Sequence, residues 1–254
     1  MVVSYKWNKS YKSALESKNR YRVIYGGAGS GKSYFVAQEI IYNMTQNGSY
    51  YYLAVRKTGR SIRNSVFQLL VEIINTHDLN DVFTINKTEM SITCITGARL
   101  ITSGLDDVEK LKSIAGINRI WIEEASEISE KDFTQLDLRL RGKNKLGYQI
   151  TITFNPISEL NWIKKSFFDV GKDDCFILKT TYKDNPFLDD RYIQTLEELQ
   201  EQDYQYYRIY TLGEWGSLGN LIYTNWNKQD LSKEKQMFDN IFNGLDFGFA
   251  DDPT

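Results

Sequence analysis

Cysteine, proline and histidine are scarce in this 254-residue chain, which holds 2, 3 and 1 of them. Cys94 and Cys175 lie far apart, and neither sits in a disulfide or metal-ligand pattern, which indicates a reducing compartment. With so few prolines and no low-complexity tract, we expect no long linker. No apolar run is long enough to span a bilayer, and the first residues lack the apolar core of a secretory signal. We therefore expect a soluble globular protein with no membrane partner.

The overall charge excludes little. The formal net charge is −2, yet a nucleic-acid groove needs only a locally basic surface, so polynucleotide partners remain open. The length fits one large domain or two modest ones.

Short β-rich runs alternate with segments of helical period. The pattern predicts strands at 21–25, 50–56, within 83–103, and at 119–123, 148–154 and 174–182, with helices at 32–46, 62–74 and 133–140. Such alternation is typical of an α/β fold with a mostly parallel sheet and helices on both faces. After Asn185-Pro186 the sequence is rich in polar and aromatic residues with a helical period, which predicts a small appended subdomain.

The stretch from Gly26 to Ser33, GGAGSGKS, matches G-x-x-x-x-G-K-[ST] in full, between a predicted strand and a predicted helix. Its glycines let backbone N–H groups turn toward phosphate oxygens, and the helix N-terminus adds partial positive charge. Lys32 is expected to reach the β- and γ-phosphates, and Ser33 to ligate Mg²⁺. The predicted phosphate-binding residues are Gly26, Gly27, Ala28, Gly29, Ser30, Gly31, Lys32 and Ser33.

Two carboxylates end the apolar strand RIWIE at 119–123. Adjacent strand residues point to opposite sides, so Glu123 and Glu124 can have different roles. We predict that Glu123 faces Mg²⁺ and that Glu124 polarises the attacking water. Without other motifs, we would interpret the pair as ordinary surface acids at the end of a strand. In a chain that also contains a complete phosphate loop, the pair predicts a hydrolase.

The strand at 148–154 runs into Asn155-Pro156. Thr153 and Asn155 are therefore candidates for sensing the γ-phosphate, although Asn-Pro is also an ordinary turn. Two other functions stay open at this point: another P-loop phosphotransferase such as a small-molecule kinase, and a nucleotide-dependent assembly or switch module.

The chain resembles the large subunit of viral DNA-packaging terminases of the tailed-phage type. The resemblance rests on strings in the family's order, from RVIYGGAGSGKS through LAVRKT, GLDDVEKLKSIAGI, RIWIEEASEIS, LDLRLRG, TFNP, DNPFL and YRIYTLGEWG to GLDFGFADDPT. It implies an additional-strand, RecA-like P-loop ATPase over residues 1–184 and a linker subdomain over 185–240. It also implies the start of an RNase H-like nuclease over 241–254, where Asp246 would be a metal ligand. The other nuclease ligands are absent, so we expect an ATPase without nuclease activity.

The resemblance also implies ATP and Mg²⁺ as cofactors, and double-stranded DNA, a terminase small subunit and a portal or procapsid as partners. It implies a ring of copies when assembled, a monomer in dilute solution, and the host cytoplasm as location. Family members often carry arginine where Ala28 stands. This leaves Arg56, Arg139 and Arg141 as candidate catalytic cations.

Overall fold

The computed structural model describes residues 6–106, 114–142 and 144–216. Among them, eight strands form one sheet in the order β3-β4-β5-β2-β6-β7-β1-β8. The strands β5, β2, β6, β7, β1 and β8 are parallel, whereas β3 and β4 form an antiparallel edge. Their bounds are β1 Tyr21–Gly26, β2 Tyr51–Arg56, β3 Phe83–Asn86, β4 Ser91–Cys94, β5 Arg99–Gly104, β6 Arg119–Glu123, β7 Gln149–Phe154 and β8 Cys175–Thr180.

The α-helices of the described residues are α1 Lys12–Glu16, α2 Lys32–Gln46, α3 Gly59–Ile62, α4 Gln68–Thr76, α5 Glu130–Asp137, α6 Asp190–Gln202 and α7 Tyr204–Tyr206. Short π-helical segments span Arg63–Phe67, Lys164–Asp169 and Tyr207–Thr211, and 3₁₀ turns span Lys9–Tyr11, Ala125–Glu127 and Tyr182–Asp184. In this part of the chain no helix has the length and apolarity that crossing a membrane requires.

Helices cover both faces of the sheet, which confirms the predicted α/β class. On one face, the stripe Val36, Ile40 and Met44 of α2 packs in one cluster with apolar residues of α4. On the other face, Phe133 and Leu136 of α5 pack in a second cluster. The central strand β7 is buried along its whole length, as expected for a parallel strand covered on both sides.

The predicted helix at 133–140 is displaced toward its N-terminus, because local capping sets its start. The Ser129 hydroxyl accepts the backbone N–H of Asp132, whose side chain bonds back to Ser129, and this reciprocal pair begins α5 at Glu130. The helix ends at Asp137.

Parallel strands bring four predicted site segments to one edge. β1, β2, β6 and β7 run in the same direction, so their carboxyl ends lie together. These ends lead into the phosphate loop, Arg56, the Glu123-Glu124 pair and Asn155. The strand order also places β7 between β6 and β1, which puts Asn155 between the acids and the loop.

The segment after β8 returns to the phosphate loop. The backbone N–H of Ala28 donates to the carbonyl of Tyr210 at 2.6 Å. A Cβ added at Gly213 would lie 2.6 Å from the Cα of Gly26, so the two backbones touch directly. The described part of the predicted subdomain, 185–216, is thus helical and packs against the loop. The domain bounds at 184, 240 and beyond stay predictions, and residues 217–254, including Asp246, lie outside the described residues.

Candidate nucleotide site

The loop between β1 and α2 holds its shape through glycines in left-handed backbone conformations. Gly29 has φ of 70° and Gly31, the N-cap of α2, has φ of 90°, which side chains rarely adopt. The 15-residue helix α2 begins at Lys32, so its first N–H groups and its dipole face the loop. This arrangement is a ready anion site.

The Lys32 ammonium is buried within the loop. Its Nζ donates to the carbonyls of Gly26 (3.1 Å) and Gly27 (2.7 Å), to Ser30 Oγ (3.2 Å) and to Asn155 Oδ1 (2.9 Å). Burial lowers the pKa of Lys32 to about 8, although the charges of Glu123 and Glu124 oppose this shift. An added phosphate would favour the charged ammonium and would be held by it.

Glu123 and Ser33 meet as the sequence predicts. The Ser33 hydroxyl donates to Glu123 Oε1 at 2.5 Å, and the Thr153 hydroxyl donates to Glu123 Oε2. Burial raises the pKa of Glu123, while these two hydroxyl bonds and the charges of Lys32 and Arg56 partly offset the rise. Both hydroxyls donate to the carboxylate form, which makes Glu123 a fixed acceptor group.

Glu124 lies beside Glu123 but faces different surroundings. Its backbone is left-handed, with φ of 51° and ψ of 50°, so the chain turns sharply after β6. Burial, and then the charge of Glu123, raise the pKa of Glu124 to about 7. A carboxyl group with a pKa near neutrality can accept a proton from water at working pH.

Arg56 is the predicted arginine that lies near the acids within the same chain. Its charge lowers the pKa of both Glu123 and Glu124. Its Nη2 donates to Glu127 at 3.1 Å and its Nη1 to Ser65 at 3.3 Å, while its buried Nε has no acceptor in the described part of the chain.

Arg139 and Arg141 lie at the opposite end of the parallel strands from the phosphate loop, near the residues at which the strands begin. They follow α5, whose last residue Asp137 bonds Arg20 just before β1 begins. The loop begins where β1 ends, about 20 Å away for a six-residue strand. These two arginines are therefore far from the loop of their own chain.

Within the described part of the chain, two cavities adjoin the loop. A cavity of about 230 Å³ is lined by residues 28–34 together with Glu123, Glu124, Phe154 and Asn155. A second, of about 440 Å³, shares Gly31 and Tyr34 with the first and is lined further by Lys6, Asn8, Tyr11, Phe35, Gln38, His77, Asn185 and Phe187.

Apart from Gly31, the sequence analysis did not predict the residues that line the larger cavity. They come from the N-terminal turn, α2, the end of α4 and the segment after β8, so no contiguous motif joins them. The one available signal is Asn185, in the string DNPFL, whose Nδ2 donates to the carbonyl of Gly29 at 2.7 Å.

The oxygen donors of the smaller cavity fit Mg²⁺. Ser33 and Glu123 offer a hydroxyl and a carboxylate in contact, and Mg²⁺ typically takes one or two carboxylates with substrate phosphates and waters. The described residues contain no cluster of three or more His, Cys, Asp or Glu that could hold a metal. A P-loop site does not require one, because phosphates and waters complete the shell.

The chain is similar to several known proteins. The family model described as phage terminase large subunit matches residues 18–214. The PBSX phage terminase large subunit of Bacillus subtilis (strain 168) is 29% identical over 255 residues, covering 91% of this chain and 58% of that protein. The terminase large subunit of Bacillus phage SPP1 is 31% identical over 245 residues, again covering 91% of this chain and 58% of that protein.

The fold also matches a solved structure. The large terminase of a thermophilic bacteriophage, in complex with ATP-γ-S, superposes with a TM-score of 0.67 at 17% identity, covering 83% of this chain and 53% of that one. The chain thus spans 58% of the length of its two curated relatives.

Proposed function

The chain belongs to the phage terminase large subunit family, and on that premise we propose that it is an ATPase that drives double-stranded DNA into a procapsid. One observation carries the proposal. Lys32, Ser33, Glu123, Glu124 and Asn155 line a single cavity at the carboxyl edge of the sheet. That set supplies a phosphate cradle, a metal-binding pair and a base.

ATP is the proposed substrate, with its phosphates in the smaller cavity. The N–H groups of the loop and of the first turn of α2 bind phosphate oxygens. Lys32 exchanges its loop acceptors for the β- and γ-phosphates. Ser33 and Glu123 would hold Mg²⁺, which when bound neutralises phosphate charge. The known complex of the thermophilic phage protein with ATP-γ-S supports the choice of nucleotide.

Glu124 is the proposed base, because it lines the phosphate cavity and its raised pKa suits proton transfer. It orients the attacking water and takes its proton. Asn155 is the proposed γ-phosphate sensor: it bonds Lys32, so a change at the phosphate reaches β7. Thr153 lies within β7, two residues before Asn155, and its hydroxyl donates to Glu123 instead.

The nucleoside is proposed to occupy the larger cavity. The two cavities share Gly31 and Tyr34, so a nucleotide with its phosphates in one extends directly into the other. Aromatic rings and amides line this space, a composition that suits a purine.

Duplex DNA is the proposed polymer partner, and the described residues include a basic surface that suits it. Between Glu39 and Glu72 there is no acidic residue, while Arg56, Lys57, Arg60 and Arg63 all lie there. Lys57, Arg60 and Arg63 are exposed, and among the described residues they form no ion pair. Arg56 pairs with Glu127, and Asp106 accepts the backbone N–H of Gly59, so the cations that stay available to phosphates are Lys57, Arg60 and Arg63.

The remaining partners follow from family membership. We propose a ring of copies on a portal, with a small terminase subunit, in the cytoplasm of the phage's host. We also propose the ATPase domain at 1–184, the linker at 185–240 and the start of a nuclease domain at 241–254, with Asp246 as its first metal ligand.

Turnover measurements test the ATPase proposal. Phosphate release by the parent, with Mg²⁺ and with or without duplex DNA, is compared with release by Lys32→Ala and Glu124→Gln. Both variants are expected to lose hydrolysis, while Glu124→Gln retains ATP binding because the cradle is intact.

Each rival function has its own signature in that assay. ADP formed without free phosphate in the presence of a small acceptor would indicate a kinase. Nucleotide binding without turnover in the parent would indicate a switch. Normal turnover of Lys32→Ala would refute the phosphate-loop assignment itself.

A further inference from the structure

A buried tryptophan reaches the proposed metal site from within the sheet. Trp121, on β6, is 1% exposed and pairs across the sheet with Thr151 of β7. Its indole Nε1 donates to the hydroxyl of Thr153, the diagonal neighbour, at 2.8 Å.

The Thr153 hydroxyl has little freedom once the indole is bound. An indole N–H can only donate, so it occupies one lone pair of the hydroxyl oxygen. The single hydroxyl proton then has two acceptors in range, the carboxylate of Glu123 and the carbonyl of Ile122 at 3.3 Å. The carboxylate is the stronger acceptor, since charge-assisted bonds are shorter and stronger.

This chain of bonds fixes how the Glu123 carboxylate is turned. Oε2 accepts from Thr153, and Oε1 accepts from Ser33 on the first turn of α2. Donation by the indole polarises the Thr153 hydroxyl and makes it a better donor to the carboxylate. The Oε1 oxygen is thereby held toward the hydroxyl with which it would share Mg²⁺.

We propose that Trp121 is a positioning residue that, through Thr153, orients Glu123 for magnesium. The inference rests on the proposed function, because it concerns the metal pair of the same site. The sequence does not indicate this role, because Trp121 lies in the apolar strand RIWIE and is predicted there as a core residue.

Calorimetric titration with ATPγS at graded Mg²⁺ concentrations, and in EDTA, tests the proposal. Trp121→Phe keeps a buried ring but removes the donor. We expect the Mg²⁺ concentration that gives half of the full Mg²⁺-dependent gain in ATPγS affinity to rise roughly tenfold. Loss of a residue that hydrogen-bonds a metal ligand typically weakens metal binding roughly 10–100-fold, and this is the lower end of that range. Affinity in EDTA should match the parent.

Further variants separate positioning from packing. Thr153→Val should reproduce the shift, Thr153→Ser should restore the parent's Mg²⁺ dependence, and Trp121→Phe combined with Thr153→Val should be no worse than either alone. Trp162→Phe is the matched control, because it loses an indole bond to the carbonyl of Ile128 at 2.7 Å without touching Glu123.

Two results would overturn the proposal in distinguishable ways. If Trp121→Phe lowers the unfolding temperature yet keeps the parent's Mg²⁺ dependence, the indole serves packing alone. If ATPγS binding by the parent itself is independent of Mg²⁺, Ser33 and Glu123 are not the metal ligands that we propose. The role proposed for Trp121 is then wrong as well.

Discussion

Glu124 carries two unfavourable features at one residue. Its left-handed backbone is strained for a residue with a Cβ, and its carboxylate is poorly solvated beside Glu123. Such features are expected where function, rather than stability, determines the residue.

The Glu124→Gln variant should be more stable than the parent at pH 8. The pKa of about 7 in the folded protein lies above the ordinary 4.5, so this side chain reduces stability as pH rises from about 4.5 to 7. A neutral amide avoids that loss. The gain in free energy of unfolding should reach at most about 3 kcal/mol, from 1.36 kcal/mol per pKa unit.

Urea denaturation of both proteins in EDTA without nucleotide, at pH 8 and near pH 5, measures this difference. The difference between the two proteins should fall below about 1 kcal/mol at the lower pH, where Glu124 is protonated in the folded state and only partly ionised in the unfolded state. A difference that is the same at both pH values would show that the carboxylate charge is not its cause.

At the scale of single residues, the sequence predicts what a contiguous motif contains. Lys32 and Ser33 stand in the loop string, and Glu123 and Glu124 end an apolar strand, so their meeting follows from parallel-strand geometry. Trp121 could not be assigned in this way. Its hydrogen bond depends on the register of β6 against β7, which no local pattern specifies.

At the scale of elements, the phosphate loop is held from three sides. Tyr11 of the N-terminal turn donates to the carbonyl of Ser30 at 2.9 Å, and Asn185 donates to that of Gly29. Tyr210 accepts from Ala28. The loop conformation therefore depends on elements outside the strand and helix that it joins.

Gly27→Ala should disrupt the packing of the Tyr210–Gly213 turn on the loop. The new Cβ would lie 2.6 Å from the carbonyl oxygen of Thr211 and 2.7 Å from that of Tyr210, and backbone atoms cannot rotate away. Overpacking of this kind lowers stability by about 1–3 kcal/mol, measured by thermal or urea unfolding.

Gly59→Ala is the matched control. At the first position of α3, the nearest described atom to its Cβ would be Asp106 Oδ1, at an ordinary contact distance of 3.8 Å. Alanine there should be neutral or stabilising by up to about 1 kcal/mol. Equal losses in the two variants would mean that removal of glycine, rather than the clash with Thr211, is responsible.

The sequence predicts these elements better than their contacts. The helix at 32–46 and most strands are found where expected, because apolar periodicity is a local signal. The return of 185–216 onto the loop depends on backbone contacts of Gly27 and Gly213, which carry no periodicity. It could not be predicted from the sequence.

At the scale of the whole molecule, DNA binding should depend on the exposed cations after β2. Arg60→Glu/Arg63→Glu should weaken duplex binding and DNA-stimulated hydrolysis while basal hydrolysis is kept. The plot of log affinity against log salt should become shallower by about 0.9 for each phosphate that the variant no longer neutralises. Binding is measured at several salt concentrations.

Lys131→Glu provides the control for that experiment. Lys131 is an exposed lysine on α5, at the far face of the sheet, and its reversal changes net charge without touching the basic surface. A salt dependence altered equally in both proteins would indicate general electrostatics and would contradict a defined DNA surface.

Mixing two inactive variants tests whether a neighbouring subunit supplies the catalytic arginine. Arg139 and Arg141 are too far from their own loop to act on it. If they act in a neighbour, Lys32→Ala mixed with Arg139→Ala/Arg141→Ala at high concentration should recover hydrolysis, because a donated arginine is worth roughly 10³–10⁵ in rate.

The mixture of Lys32→Ala with Arg56→Ala is the control. Arg56 lies beside the acids of its own chain, so any activity that Arg56→Ala loses should not be restored in this mixture. No recovery in the first mixture, together with a parent rate per subunit that is flat in concentration, would favour Arg56 as the catalytic cation in cis.

The bond between Ala28 and Tyr210 bears on how short a working version of the chain can be. A truncation after β8 would retain every residue of the phosphate loop, the acidic pair and the Thr153–Asn155 strand end. It would nevertheless remove the acceptor of the Ala28 N–H and expose the backbone of Gly26 and Gly27. Motif boundaries therefore underestimate the smallest autonomous folding unit, which must extend at least through Gly213.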